Sequence, residues 1–215
     1  MVERDTSAAA APQPVTMRAA AYSAFGGPIT VQELPKPEAP PGGVLIEVKA
    51  TGVCRSDWHG WKGHDSDIVD HGLPFVPGHE LSGIVAALVE GVSSFAVGDR
   101  VAVPFILSCG RCRECARGRP TICEEQEQPG FTRFGSFAEF VALPRAERNL
   151  AKLPAAVSVA THGPCSPVAR RARGCNPVCP AEIEAATLCA QVSFEAAAAL
   201  GCRGTTAYRA VVQQG

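Results

Sequence analysis

The sequence has no surplus of charge of either sign. Its 215 residues carry 20 Lys and Arg against 21 Asp and Glu, a formal net charge of −1 at pH 7. Nucleic-acid and membrane-surface binding leave a marked basic excess, and its lack argues against both. Long apolar runs are also missing: none reaches the roughly 18 residues needed to suspect a bilayer span. Residues 1–16 have no apolar signal core, holding instead Glu3, Asp5 and an Ala/Pro stretch. They read as a disordered leader ahead of an internal start at Met17; a plastid or mitochondrial address would be richer in Arg and Ser and poorer in acids. What the chain does have is 21 Gly, 18 Pro and a hydrophobic fraction of 46%. That is enough apolar matter for one large domain or two small ones, and a turn content that favours strands and loops over a helical bundle.

Ten cysteines stand out. A secreted disulfide scaffold would be shorter and would open with a signal peptide, so the expected compartment is the cytoplasm, where reduced thiols serve as metal ligands or catalytic groups. Cys109, Cys112, Cys115 and Cys123 form C-x2-C-x2-C-x7-C. Four thiolates so spaced satisfy tetrahedral Zn²⁺ and leave no open position, which defines a structural site. Gly110, Gly118 and Pro120 permit the tight turns of a metal-wrapped lobe. The bland alternative, unligated surface thiols, fits poorly with four in fifteen residues. Arg111, Arg113, Arg117 and Arg119 lie among them and read as solvated charges that offset a zinc-tetrathiolate.

A second set is dispersed. Cys54 lies in GVCRSDWHGW, His79 in PGHELSGIV and Cys202 in LGCRGTTAYRAV. Each has a dull reading alone: a small core thiol, or a hydrogen-bonded ring. Together they offer two sulfurs and a nitrogen with a fourth position open, the composition of a catalytic zinc site.

These strings, with GDRVAVPF, CGRCRECARGRPTIC and GSFAEF, cover most of residues 17–156 and 192–212. In order and spacing they resemble the catalytic part of the zinc-dependent medium-chain alcohol dehydrogenases. The resemblance implies a mainly β fold with small helices (α+β), a GroES-like partly open β-barrel carrying a zinc lobe. It implies Cys54, His79 and Cys202 as catalytic zinc ligands, Glu80 as a carboxylate able to approach the metal, and Asp57 as the acid that orients the ligand histidine. Ser56 and His59 match the family's proton relay, Arg55 a position that meets the cofactor pyrophosphate, and the four clustered cysteines the structural zinc. The substrate class implied is a small alcohol or carbonyl, with zinc in both sites, NAD or NADP as hydride acceptor, and a homo-oligomer for a full-length relative.

Two departures qualify this. No G-x-G-x-x-G follows a strand: Gly201-Cys202-Arg203-Gly204 has the wrong spacing, and Pro41-Gly42-Gly43 precedes a strand. The NAD site is therefore expected to be missing, the chain to be a fragment of the catalytic half, and its activity alone to be lost. Second, residues 157–191 interrupt the family's text between NLAKLPAA and VSFEAAAALGC. One reading is a translated intron, given Val-Ser at both junctions; the other is a surface insertion, with a metal site at Cys175-x3-Cys179 plus Cys165 or Cys189. The expected organisation is a leader at 1–16, the GroES-like domain at 17–156, the anomalous insert at 157–191, and a completing helix at 192–215.

Expected strands run over Met17–Gly26, Val44–Ala50, Leu81–Val89, Arg100–Val103 and Ser136–Leu143, with a Pro-rich connection between the first two and helices after Cys54 and over Ser193–Val212. The Gly/His/Asp-rich stretch before Pro77 is expected to be loop, and Trp58, Trp61 and QPGFTRFG to border a pocket. A different class competes with the enzyme: a zinc-stabilised, non-catalytic binding or interaction module. A zinc-free quinone-reductase-like relative is disfavoured, because it would not need both ligand sets.

Overall fold

The computed structural model describes residues 14–153, 193–200 and 202. The expected leader up to residue 13, the insert at 157–191 and the helix beyond residue 202 lie outside the described residues. Two nine-residue strands, β3 (Val44–Gly52) and β4 (Glu80–Leu88), pair antiparallel and form the spine. Their pairing shifts register between Leu45 and Ile46 and between Val48 and Ala50. Such bulges bend a strand and increase its twist, which curves a sheet towards a barrel. β5 (Arg100–Val103) and β6 (Phe140–Leu143) flank the spine, and the short β7 (Ala151–Lys152) adds an edge, giving the order β6-β3-β4-β5-β7. Separately, β1 (Thr16–Ala21) pairs with β2 (Thr30–Pro35).

Alternation decides which face is inside. Val101 and Val103 in β5, and Val141 and Leu143 in β6, are buried while their neighbours are not. They join Val44, Ile46, Leu81, Val85, Leu107 and Ala146 in the main core. Fully burying each such Val, Leu or Ile contributes about 1.5–3 kcal/mol, so this layer dominates the stability of the sheet. A second cluster of Tyr22, Ile68, Phe75 and Phe131, with Trp61 against it, lies under the helices α1 (Arg55–Trp61) and α2 (Ser66–His71). Short helices α3 (Arg113–Ala116) and α4 (Ala146–Asn149) punctuate the loops. α5 (Phe194–Ala199) packs on β3 and β4, with Ser82 Oγ donating to the Phe194 carbonyl at 2.5 Å and Arg100 over the Phe194 ring. Ser193 caps α5 by accepting from the Ala196 amide, as its sequence implies. No helix among the described residues is long and apolar enough to cross a membrane.

Four expectations are corrected. The 17–26 strand runs instead over Thr16–Ala21, with Val15 already accepting from the Lys36 amide. The Pro-rich connection contains β2, where Thr30 to Leu34 pair along β1 before Pro35 ends the ladder. The loop before Pro77 contains α2, started by Asp65, whose carboxylate accepts from the Asp67 amide. The 136–143 strand begins only at Phe140, because Ser136 and Phe137 bond instead to the Gly78 and Pro77 carbonyls.

Candidate metal centres

Residues 109–123 fold around their own sulfurs. Cys109 and Cys115 Sγ are 4.0 Å apart, and Cys112 and Cys123 Sγ 3.8 Å. Sulfurs at about 2.3 Å from a tetrahedral Zn²⁺ would be about 3.8 Å apart, so the separations fit the ion. Backbone amides point at the sulfurs: Cys109 N–H at Cys123, Arg111 and Cys112 N–H at Cys109, and Cys115 N–H at Cys112. Amide dipoles favour thiolates. The Cys115 amide, then that of Glu124, draws the Cys112 thiol down to about 6, whereas burial pushes Cys123 up to about 11. The Arg111 amide leads in holding Cys109 below its ordinary value. Three of the four arginines read as solvated are ion-paired: Arg111 with Glu125 at 2.5 Å, and Arg117 and Arg119 with Glu114 at 3.5 and 2.5 Å. They brace the lobe through neighbouring carboxylates while staying largely exposed.

The second centre is assembled from three elements. Cys54 is the N-cap of α1, with Ser56 two residues further along the helix. His79 and Glu80 are at the start of β4, and Cys202 follows the end of α5. One ligand atom from each of Cys54, His79, Glu80 and Cys202 lies within 4.8 Å of all the others. His79 is 1% exposed and Glu80 0%. Among the described residues, His79 Nε2 is buried without a hydrogen-bond partner. An orphaned acceptor in a buried site costs about 1–3 kcal/mol unless something else satisfies it.

Asp57 ties these elements together. Its Oδ2 accepts from the Cys54 amide at 2.8 Å, and its Oδ1 is 3.1 Å from both the Gly78 amide and His79 Nδ1. The bond to Nδ1 fixes the proton there and turns Nε2 towards the sulfurs, the usual arrangement for a ligand histidine. Burial pushes the His79 pKa down, but Asp57 and then Cys54 outweigh it and raise it. Burial pushes the Cys54 thiol up, yet the Ser56 hydroxyl and amide, followed by His79, hold it below the ordinary value.

Glycine makes the turn before His79 possible. Gly78 has φ +102°, and an added Cβ would come within 2.6 Å of Phe137 and of Ser136 Oγ. Gly130 and Gly135 press on the same Gly78 peptide from the opposite loop. That loop also delivers Phe131, whose ring lies 5.1 Å from the His79 ring, with Phe105 at 6.1 Å. The sequence reading included Phe131 within QPGFTRFG but missed Phe105, for which spacing offers no signal. Of the two tryptophans, Trp61 belongs to the second core and donates to the Gly27 carbonyl at 2.6 Å.

The remaining candidates cluster on α1. Ser56 Oγ is 3.3 Å from Cys54 Sγ. His59 is exposed, and its Nδ1 pairs with that of His64; among the described residues no hydrogen bond joins it to Ser56. Arg55 is exposed, its guanidinium 5.2 Å from the Trp58 ring.

The chain is similar in sequence and fold to known proteins. A model of the family described as "Alcohol dehydrogenase GroES-like domain" matches residues 40–155. An alcohol dehydrogenase of Rhizobium meliloti (strain 1021) is 40% identical over 156 residues, covering 72% of this chain and 44% of that protein. A crystal structure titled as an NAD-dependent alcohol dehydrogenase superposes with TM-score 0.69 at 34% identity, over 92% of this chain and 47% of the other. A cobalt- and zinc-bound thermostable alcohol dehydrogenase from Pyrobaculum aerophilum superposes with TM-score 0.58 at 33% identity, over 66% of this chain and 42% of that one. The chain thus spans less than half the length of each.

Proposed function

Because the chain belongs to the family of the alcohol dehydrogenase GroES-like domain, we propose that it supplies the catalytic domain of a zinc-dependent oxidoreductase. The reaction is oxidation of a small alcohol to an aldehyde or ketone, with NAD or NADP as the hydride acceptor. One observation carries this reading: Cys54, His79, Glu80 and Cys202 converge around a buried imidazole nitrogen that has no hydrogen-bond partner among the described residues. Two sulfurs, a nitrogen and a carboxylate suit Zn²⁺, and Cys54, His79 and Cys202 are its proposed ligands, with Glu80 in reach of the fourth position. The four-cysteine lobe is proposed as a second, structural zinc site. Both clusters need reduced thiols, which favours the cytoplasm.

When bound, zinc supplies Lewis acidity that makes an alcohol proton easier to remove. The chain's own residues do the rest. Asp57 holds the His79 ring in one tautomer, and Phe131 and Phe105 keep water from its flank. Ser56, next to Cys54, is the hydroxyl placed to take a proton, and His59 is the exposed imidazole able to pass it to solvent. Passing the proton directly between them requires one of the two side chains to turn. Arg55, exposed on the same helix, is the cation available to a dinucleotide phosphate. The sequence carries no G-x-G-x-x-G, so these residues alone offer no dinucleotide cradle.

Metal content tests the reading. Refolded with zinc under reducing conditions, the chain is expected to hold two ions; His79→Ala and Cys112→Ser are each expected to hold one. A chain that takes up one ion, lost in Cys112→Ser and unaffected by His79→Ala, would favour the non-catalytic zinc-stabilised module.

A further inference from the structure

We propose that His59 and His64 form an exposed two-imidazole site for a divalent transition-metal cation, separate from both sulfur-bearing clusters. Their Nδ1 atoms are 3.3 Å apart. Two nitrogens each at roughly 2.0–2.1 Å from a tetrahedral Zn²⁺ are about 3.3–3.4 Å apart, so the pair already spans one edge of a coordination tetrahedron. Without metal, that approach needs one ring to carry its proton on Nδ1 and the other to accept it. With metal, both Nδ1 lone pairs bind and both protons sit on Nε2.

The geometry is built into the chain. His59 lies in the last turn of α1, and the His64 amide donates to the His59 carbonyl at 3.0 Å, closing the loop between them. Gly63 makes the reversal with φ +74°, and a Cβ there would come within 3.0 Å of the Phe25 ring. Trp58 meets both imidazoles edge-on, with ring centroids 4.9 Å from His59 and 5.7 Å from His64. Two rings held by a backbone bond and a common indole lose little freedom on binding, which is what makes a two-ligand site worth having. Imidazole ligands suit Zn²⁺, Cu²⁺ and Ni²⁺, and water completes the shell. With two protein ligands the site should bind more weakly than either four-residue cluster. Occupancy takes the His59 imidazole out of proton transfer; that consequence rests on the proposed function, whereas the binding itself does not.

Nickel is the probe. Zinc-loaded protein, dialysed to remove loosely held metal, is titrated with Ni²⁺ by calorimetry while tryptophan emission is followed, since a paramagnetic ion beside Trp58 quenches it. One added equivalent is expected to bind and to quench part of the emission. His64→Ala and His59→Gln should each weaken that binding at least tenfold, Trp58→Phe should abolish the quench while Ni²⁺ still binds, and His71→Ala should change neither. Both histidines are exposed, so these variants are expected to fold, and an unchanged far-ultraviolet spectrum and zinc content confirm it. Equal Ni²⁺ affinity in wild type and His64→Ala, or loss of the equivalent in His71→Ala, would overturn the proposal.

Discussion

Asp57 holds the candidate centre together from outside its ligand set. Three donors converge on its two oxygens: the amides of Cys54 and Gly78, and His79 Nδ1. In Asp57→Asn one oxygen becomes an NH2, which then faces an N–H, so at least one buried donor loses its acceptor. Zinc affinity at this centre is expected to fall about 10–100-fold, while zinc in the four-cysteine lobe is unaffected; a chelator competition resolves the two. A second prediction concerns Glu147, which accepts from the Ser93 and Ser94 amides. Ser94, through hydroxyl and amide, and then the Ser93 amide hold its carboxyl down to about 2 from 4.5. A depressed carboxylate stabilises the fold above its unfolded pKa and stops doing so as pH falls through the folded one. Wild type should therefore be more stable than Glu147→Gln at pH 7, with the gap closing between about pH 4.5 and 2 in urea unfolding. At this scale the sequence was informative where chemistry follows from residue type. It marked Cys54, His79 and Cys202, and the family resemblance added Glu80, all of which the fold brings together; it did not mark Phe105, nor the pairing of His59 with His64, because such contacts depend on how the chain turns back.

The elements that place these residues are held by close backbone approach as much as by side chains. The loop through Gly130 and Gly135 lies on the Gly78 peptide, and the Gly135, Ser136 and Phe137 amides donate to the carbonyls of Val76, Gly78 and Pro77. At Gly135 a Cβ would run into the Gly78 carbonyl, and a backbone atom cannot step aside as a side-chain tip can. Gly135→Ala should destabilise by roughly 1–3 kcal/mol and loosen metal at the His79 centre more than in the cysteine lobe, measured by unfolding and by metal release. Element by element, β3, β4 and β5 were legible because partly alternating or near-continuous apolar runs mark them. β2 was not, since TVQELP is mostly exposed and takes its strand form from pairing with β1. α2 hid in a polar stretch with one buried anchor, Ile68. The stretch before Phe140 looked like strand because its residues suit one, yet its amides are used by the Gly78 turn.

At the scale of the molecule, two clusters with opposite logic share one β scaffold. The cysteine lobe closes on itself within fifteen residues, and amides from its own turns stabilise its sulfurs. The other centre draws Cys54 from α1, His79 and Glu80 from β4 and Cys202 from beyond α5, so it exists only when the domain is folded. Local spacing could therefore announce the first, while the second needed either the family resemblance or the fold. This difference makes cobalt the most direct probe of the central claim. Co²⁺ put in place of zinc reports its ligands through its visible spectrum. The account predicts two tetrahedral species, one with four sulfurs and one with two sulfurs and a nitrogen, the second disappearing in His79→Ala. A single four-sulfur spectrum, identical in wild type and His79→Ala, would contradict it.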